Sequence, residues 1–214
     1  MTYAALAAEV RAAADYVEAD AALGISMGAG ALCALAAAEP DRFRALVLVL
    51  PAALGTPRSV AVGNDAASQW FRNLAHLVPA GDVDAVAAYL ATGEPVDGPA
   101  VMAWSRAQAT HLISSRAQAA LKELPQQSVL ADVEALRAVR CPVLVIAQHD
   151  DAVHPVSVAR ELGEVLPCSR VEVLPQGGIM WAHRDHVRAL VGEFFVRGAT
   201  GWHDIPNGKL NERE

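Results

Sequence analysis

One stretch, Gly24-Ile25-Ser26-Met27-Gly28, restricts this 214-residue chain more than any other. The apolar residues Ala21, Ala22 and Leu23 lead into it, and the small residues Ala29, Gly30, Ala31 and Ala34 follow it. The pattern reads as a buried strand that turns sharply, at a serine, into a helix lying close to its sheet. This is the G-x-S-x-G arrangement of a nucleophile elbow. A serine at such a tip sits on strained backbone, and the residues two before and two after it approach other main chain. A Cβ at either Gly24 or Gly28 is therefore expected to clash. The turn lifts Ser26 Oγ above the sheet edge and aims the Met27 N–H, at the positive end of the helix, where an oxyanion would form. Ser26 is thus the candidate nucleophile, and the Met27 amide the candidate oxyanion donor.

The rest of the chain falls into place around that turn. Leu6, Val10, Ala13, Ala14 and Val17 recur at helical spacing over residues 3–18, predicting an amphipathic helix ahead of the elbow strand. The helix after Ser26 should run to Glu39, where Pro40 stops it. Phe43–Leu50, with the continuous apolar run Ala-Leu-Val-Leu-Val-Leu as its core, reads as a strand buried on both faces. Residues 51–65, with Pro51, Gly55, Pro57 and Gly63, read as loop, and helical patterns follow over 66–78, 82–91, 98–122 and 128–138. A helical block between two parallel strands reads as a lid over the carboxyl ends of the strands. Trp70, Phe71, Tyr89, Met102 and Trp104 are then either pocket lining or the block's own core. The sheet resumes at Val143–Ala147, a helix starts at Pro155, and Arg170–Leu174 is a last short strand. After Pro175-Gln176-Gly177-Gly178 a final helix is expected to about Arg197, followed by a polar, frayed tail. The reading is an α/β fold: a parallel sheet of about four strands with flanking helices, its core in residues 1–50 and 141–198, loop and lid over 51–140, and a tail over 199–214.

Composition narrows the partners. The formal charge of −7, with two lysines against fifteen arginines, argues against nucleic acid or an anionic membrane. Cys33, Cys141 and Cys168 are too few and too scattered for a disulfide framework or a zinc site, and read as small buried hydrophobes. No apolar run reaches membrane-spanning length and no charged-then-apolar leader opens the chain, so the expected setting is cytoplasmic. His149, Asp150, Asp151 and His154 match no metal-ligand spacing. The expectation is a small-molecule substrate with no metal and no cofactor.

Taken in order, Gly-Ile-Ser-Met-Gly at 24–28, Pro-Asp-Arg-Phe at 40–43 ahead of the next strand, and Asp151-Ala-Val-His-Pro155 after Val143–Ala147 resemble the α/β-hydrolase fold family from about residue 3 to residue 197. The resemblance implies that Ser26 is the nucleophile and that Met27 gives one oxyanion N–H. It also implies that Asp151, with Asp150 as the alternative, is the acid orienting a catalytic imidazole. Two departures stand out. The family's histidine normally follows the Leu-Pro-x-x-Gly after the last strand, where this chain has Ile179; His183 is the nearest replacement and His186 lies one turn deeper. His149 and His154, flanking the acid, are further candidates, expected to be structural. Secondly, the family carries about four strands ahead of the elbow, so the elbow strand here should have one bare edge. A recorded start inside a longer gene, a homodimer paired through that edge, or a decayed remnant would each account for it, the first being the expectation. Functionally, the resemblance implies a serine hydrolase acting on a small apolar ester, lactone or thioester through Ser26, His183 and Asp151. Ile179 motivates the alternative of a non-hydrolytic or impaired member that binds an apolar ligand.

Overall fold

The computed structural model describes residues 1–55, 66–115, 118–151, 153–197 and 210–212. The chain divides into two compact units, one built on the sheet (2–57 and 128–214) and one of helices (58–127, with Met1).

In the sheet unit, helix α1 (Tyr3–Tyr16) starts where Thr2 Oγ1 accepts the Ala5 N–H at 3.1 Å. Strand β1 (Ala21–Ile25) leads into α2 (Met27–Ala38), which is apolar nearly all round and ends at Glu39. Close packing explains two glycines here. A Cβ on Gly24 would lie 2.5 Å from the Gly28 carbonyl group, and one on Gly30 would lie 2.6 Å from the Tyr3 ring. The expectation for Gly28 is corrected: nothing lies within 4 Å of a Cβ there, because that bond leaves the first turn of α2 toward open space.

Strands β2 (Ala45–Val49) and β3 (Val143–Gln148) are buried at every residue, as the apolar runs Ala45–Val49 and Val143–Ala147 require, with the polar Gln148 buried at the end of β3. Helix α3 (Val156–Val165) returns the chain to β4 (Ser169–Leu174), and α4 (Arg184–Arg197) follows. The sheet order is β1-β2-β3-β4-β5 with every pair parallel; β5 is Leu210–Glu212, in what the sequence reads as a polar tail. The remaining tail residues, like residues 56–65 of the loop predicted over 51–65, lie outside the described residues. Helix α2 covers one face at β1 and β2, and α3 packs on β3 and β4. On the face opposite α2, Val47, Val49, Leu144, Ile146 and Leu174 form a core with Ile179 and Phe194. Full burial of each such side chain contributes about 1.5–3 kcal/mol. Val133–Ala138 forms a 3₁₀ helix that groups with the sheet unit rather than with the helical block, and Asp132 caps it.

The helical unit holds Ala66–Leu77, Val83–Ala91, Pro99–Ser114 and Gln118–Glu123. It has its own core of Leu74, Val78, Val86, Ala87, Leu90 and Ala109. Trp70 packs against this core and stacks on Tyr89 at 5.7 Å, so both rings are occupied in stabilising the unit. No helix among the described residues is long and apolar enough to cross a membrane.

Candidate active site

The carboxyl ends of β1 and β3 bring three side chains together. At the end of β1, Ser26 takes φ 53° and ψ −111°, a left-handed geometry costly for any residue with a Cβ. Main-chain bonds hold it there: Ser26 N–H donates to the Val49 carbonyl at 2.9 Å, and the Ser26 carbonyl accepts from Gly30 N–H at 3.2 Å. Met27 is the first residue of α2, so its N–H has no carbonyl a turn earlier to bond within the helix.

At the end of β3, His149 N–H donates to the Leu174 carbonyl at 2.9 Å, and Asp150 turns the chain with φ 59°. Asp151 then closes a tight turn on itself. Its Oδ1 accepts the main-chain N–H groups of Val153 (2.8 Å) and His154 (3.0 Å). That turn swings the His154 ring back over the same carboxylate, with Nδ1 at 2.9 Å from Asp151 Oδ2. The other ring nitrogen, Nε2, lies 2.9 Å from Ser26 Oγ. With the carboxylate ionised, Nδ1 carries the proton and donates to it, which leaves Nε2 to accept from the serine hydroxyl. Both side chains are largely shielded, His154 at 13% and Asp151 at 19% exposure. Burial alone would push the Asp151 carboxyl up. The His154 hydrogen bond and charge, with the two main-chain N–H groups, outweigh it and hold the carboxyl below the usual aspartate value.

The geometry thus joins Ser26 and Asp151 as expected from the sequence, but through His154. His183 is placed elsewhere. A π-helical turn over Gly178–Ala182 brings its Nε2 to 3.2 Å from the Gln176 carbonyl, on an exposed part of the same loop. Ile179, in the position where the family's histidine was expected, is 3% exposed and belongs to the apolar core. His186 Nε2 is buried with no hydrogen-bond partner among the described residues, and Asp150 is exposed and outside the bonded chain. The signal that could have identified His154 is local. An aspartate that bonds the main chain two and three residues ahead positions the third residue's side chain against its own second oxygen. The cysteines also divide: Cys33 is buried and its thiol pushed up to about 12, whereas Cys141 and Cys168 are only partly covered.

Comparison with known proteins gives a consistent picture. A family profile described as alpha/beta hydrolase fold matches residues 1–180. Among solved structures, an esterase from Exiguobacterium antarcticum superposes with a TM-score of 0.69 at 17% identity, over 89% of this chain and 73% of that one. A thermophilic esterase from Thermogutta terrifontis gives 0.67 at 20% identity, over 94% and 74%. In sequence, 45 residues are 47% identical to RutD of Caulobacter sp. (strain K31), which carries a provisional carbamate hydrolase assignment. That match spans 21% of this chain and 17% of RutD.

Proposed function

Because the chain belongs to the α/β-hydrolase fold family, we propose that it is a serine hydrolase in which Ser26, His154 and Asp151 act as nucleophile, general base and orienting acid. The observation that carries this reading is the unbroken hydrogen-bonded chain from Ser26 Oγ through both ring nitrogens of His154 to Asp151. Ser26 Oγ attacks the substrate carbonyl while His154 Nε2 takes its proton. Asp151 stabilises the imidazolium that results and keeps the ring in one tautomer. The developing oxyanion accepts from the Met27 N–H at the start of α2, where the helix dipole adds positive potential. Collapse of the tetrahedral species expels the alcohol or thiol, which takes the proton from His154. Water then attacks the acyl-serine by the same route in reverse. The substrate is a small ester, lactone or thioester. Ile25 and Met27, on either side of the nucleophile, are 45% and 42% exposed, which favours an apolar group beside the scissile bond.

The test is labelling with a fluorophosphonate probe, which reacts only with an activated serine. Labelling is expected to vanish in Ser26→Ala, to slow by about 10²–10⁴-fold in His154→Ala, and to persist in His183→Ala. A wild-type rate matched by His154→Ala but lost in His183→Ala would refute the assignment of the base. An unlabelled but folded wild-type protein would refute the nucleophile.

A further inference from the structure

We infer that Asp150 is a positioning residue whose left-handed backbone is the joint that aims the Asp151–His154 pair at Ser26, an inference that rests on the catalytic roles proposed above. The sheet holds the main chain on both sides of the gap that the imidazole must bridge. Ser26 N–H donates to the Val49 carbonyl at 2.9 Å and Leu50 N–H donates to the Ile146 carbonyl at 2.7 Å, so the serine is tied through β2 to β3. His149 N–H, donating to the Leu174 carbonyl at 2.9 Å, anchors the chain to β4 one residue beyond the end of β3.

Past Asp150 the bonds are of another kind. Asp151 Oδ1 accepts from the Val153 and His154 N–H groups, and Oδ2 from His154 Nδ1, so acid and base are locked to each other within their own segment. On the amino side of that segment, Asp150 is the single residue between backbone held by the sheet and backbone held by itself. Its dihedral angles therefore set where His154 Nε2 lies relative to Ser26 Oγ, 2.9 Å away. The side chain has no such task, because the Asp150 carboxylate is exposed and has no hydrogen-bond or ion-pair partner among the described residues. What the position uses is its φ of 59°. Glycine, asparagine and aspartate adopt that conformation far more readily than other residues, and a β-branched residue adopts it only under strain. A misplacement of about 1 Å near reacting atoms can cost about 10²-fold in rate, so an error at this joint is read in turnover.

Steady-state hydrolysis of p-nitrophenyl butyrate by the full chain tests it, with the folding of each variant checked by circular dichroism. Asp150→Val should lower kcat by about 10–10²-fold and leave KM within about twofold, since the joint aims the base and binds no substrate. Asp150→Ala, a milder change that serves if the valine variant does not fold, should lower kcat by about 3–10-fold. Asp150→Asn and Asp150→Gly both accept the left-handed conformation, and each should keep kcat within about threefold of wild type. The downfield proton resonance of the His154–Asp151 bond should persist in Asp150→Ala, because the pair is bonded within its own segment. Asp150→Ala as fast as wild type would overturn the inference. So would Asp150→Asn as slow as Asp150→Ala, which would assign the effect to charge, or loss of that resonance, which would place the defect inside the pair. A wild type that neither hydrolyses the ester nor takes up the fluorophosphonate would instead refute the catalytic roles of Ser26, His154 and Asp151, and this inference with them.

Discussion

The two ends of the sheet are held by different physics. At the amino ends, arginines tie the connections together. Arg42 reaches Asp15 at 2.9 Å and the Ala19 carbonyl at 2.8 Å while its guanidinium lies 4.9 Å from the Phe43 ring centre. Arg44 pairs with Asp20 at 2.7 Å. At the carboxyl ends the backbone takes left-handed conformations instead: Ser26 after β1 (φ 53°), Leu50 after β2 (φ 49°), Asp150 after β3 (φ 59°), and Gly177 and Gly178 after β4. Among the described residues, Glu18, in the turn ahead of β1, is the only positive-φ residue other than glycine at the amino side. Such conformations persist only where surrounding bonds over-determine them, and here the Val49–Ser26, Ile146–Leu50 and Leu174–His149 main-chain bonds do so. The comparison separates a stabilising end, where contacts can be lost one at a time, from a positioning end, where geometry has been held against local preference.

That contrast can be broken most forcefully at Asp151. Replacing it by asparagine keeps the size but removes the charge that orients His154, and kcat/KM should fall about 10³–10⁴-fold on an ester such as p-nitrophenyl butyrate. The same variant carries a pH signature. Asp151 sits below its usual value in the folded chain, so its contribution to stability is complete above the unfolded value of about 3.9 and is lost as pH falls through the folded one. The urea-midpoint gap between wild type and Asp151→Asn should be flat near neutrality and narrow only below about pH 4. A gap already closing near pH 6 would mean that the carboxylate is not held as described.

A smaller, steric effect sharpens the positioning end. Gly24→Ala puts a methyl group against the main chain of Gly28 and Ala29 and should destabilise by about 1–3 kcal/mol in urea titration. Its neighbour in the motif should do the opposite: Gly28→Ala meets open space in a helix and should stabilise by about 0.5–1 kcal/mol. Equal losses at the two positions would show that the elbow tolerates no side chain on either flank. At the amino ends, Arg42→Ala should cost about 1–2 kcal/mol, because it removes a charge-assisted bond to a carbonyl and a part-exposed ion pair. It should leave kcat/KM as it was. A drop in turnover at constant stability would show that the two ends are not separable.

The elbow, the buried strands and their order were legible in the sequence because their causes are short-range. Glycine at 24 is fixed by contact with residues four and five further on, and Ala45–Val49 and Val143–Ala147 announce burial by composition alone. The histidine was not legible in the same way. Ser26 and His154 are separated by 128 positions, and only the fold sets their distance. Resemblance drew attention to the loop after β4, where Ile179 in fact completes the core and His183 bonds to its own loop. His154, flanking the acid, was expected to be structural, and its contact with the serine depends on the Asp151 turn bending the chain back. Strand β5 escaped notice because Leu210–Glu212 carries no apolar alternation of its own; its pairing with Val171–Val173 is wholly non-local.

The Asp151 turn has a consequence for how such a chain can change. Acid and imidazole ride on one short segment that sets their mutual geometry through its own main-chain bonds. A displacement of the loop after β4, or a lengthening of it, leaves the angle between carboxylate and ring untouched. Only the separation of that segment from the serine needs tuning, which is a single adjustable parameter in place of the two that arise when three side chains come from three loops. The pair behaves as a portable cassette, and the loop after β4 is released to diversify without breaking the hydrogen-bonded chain from Ser26 to Asp151.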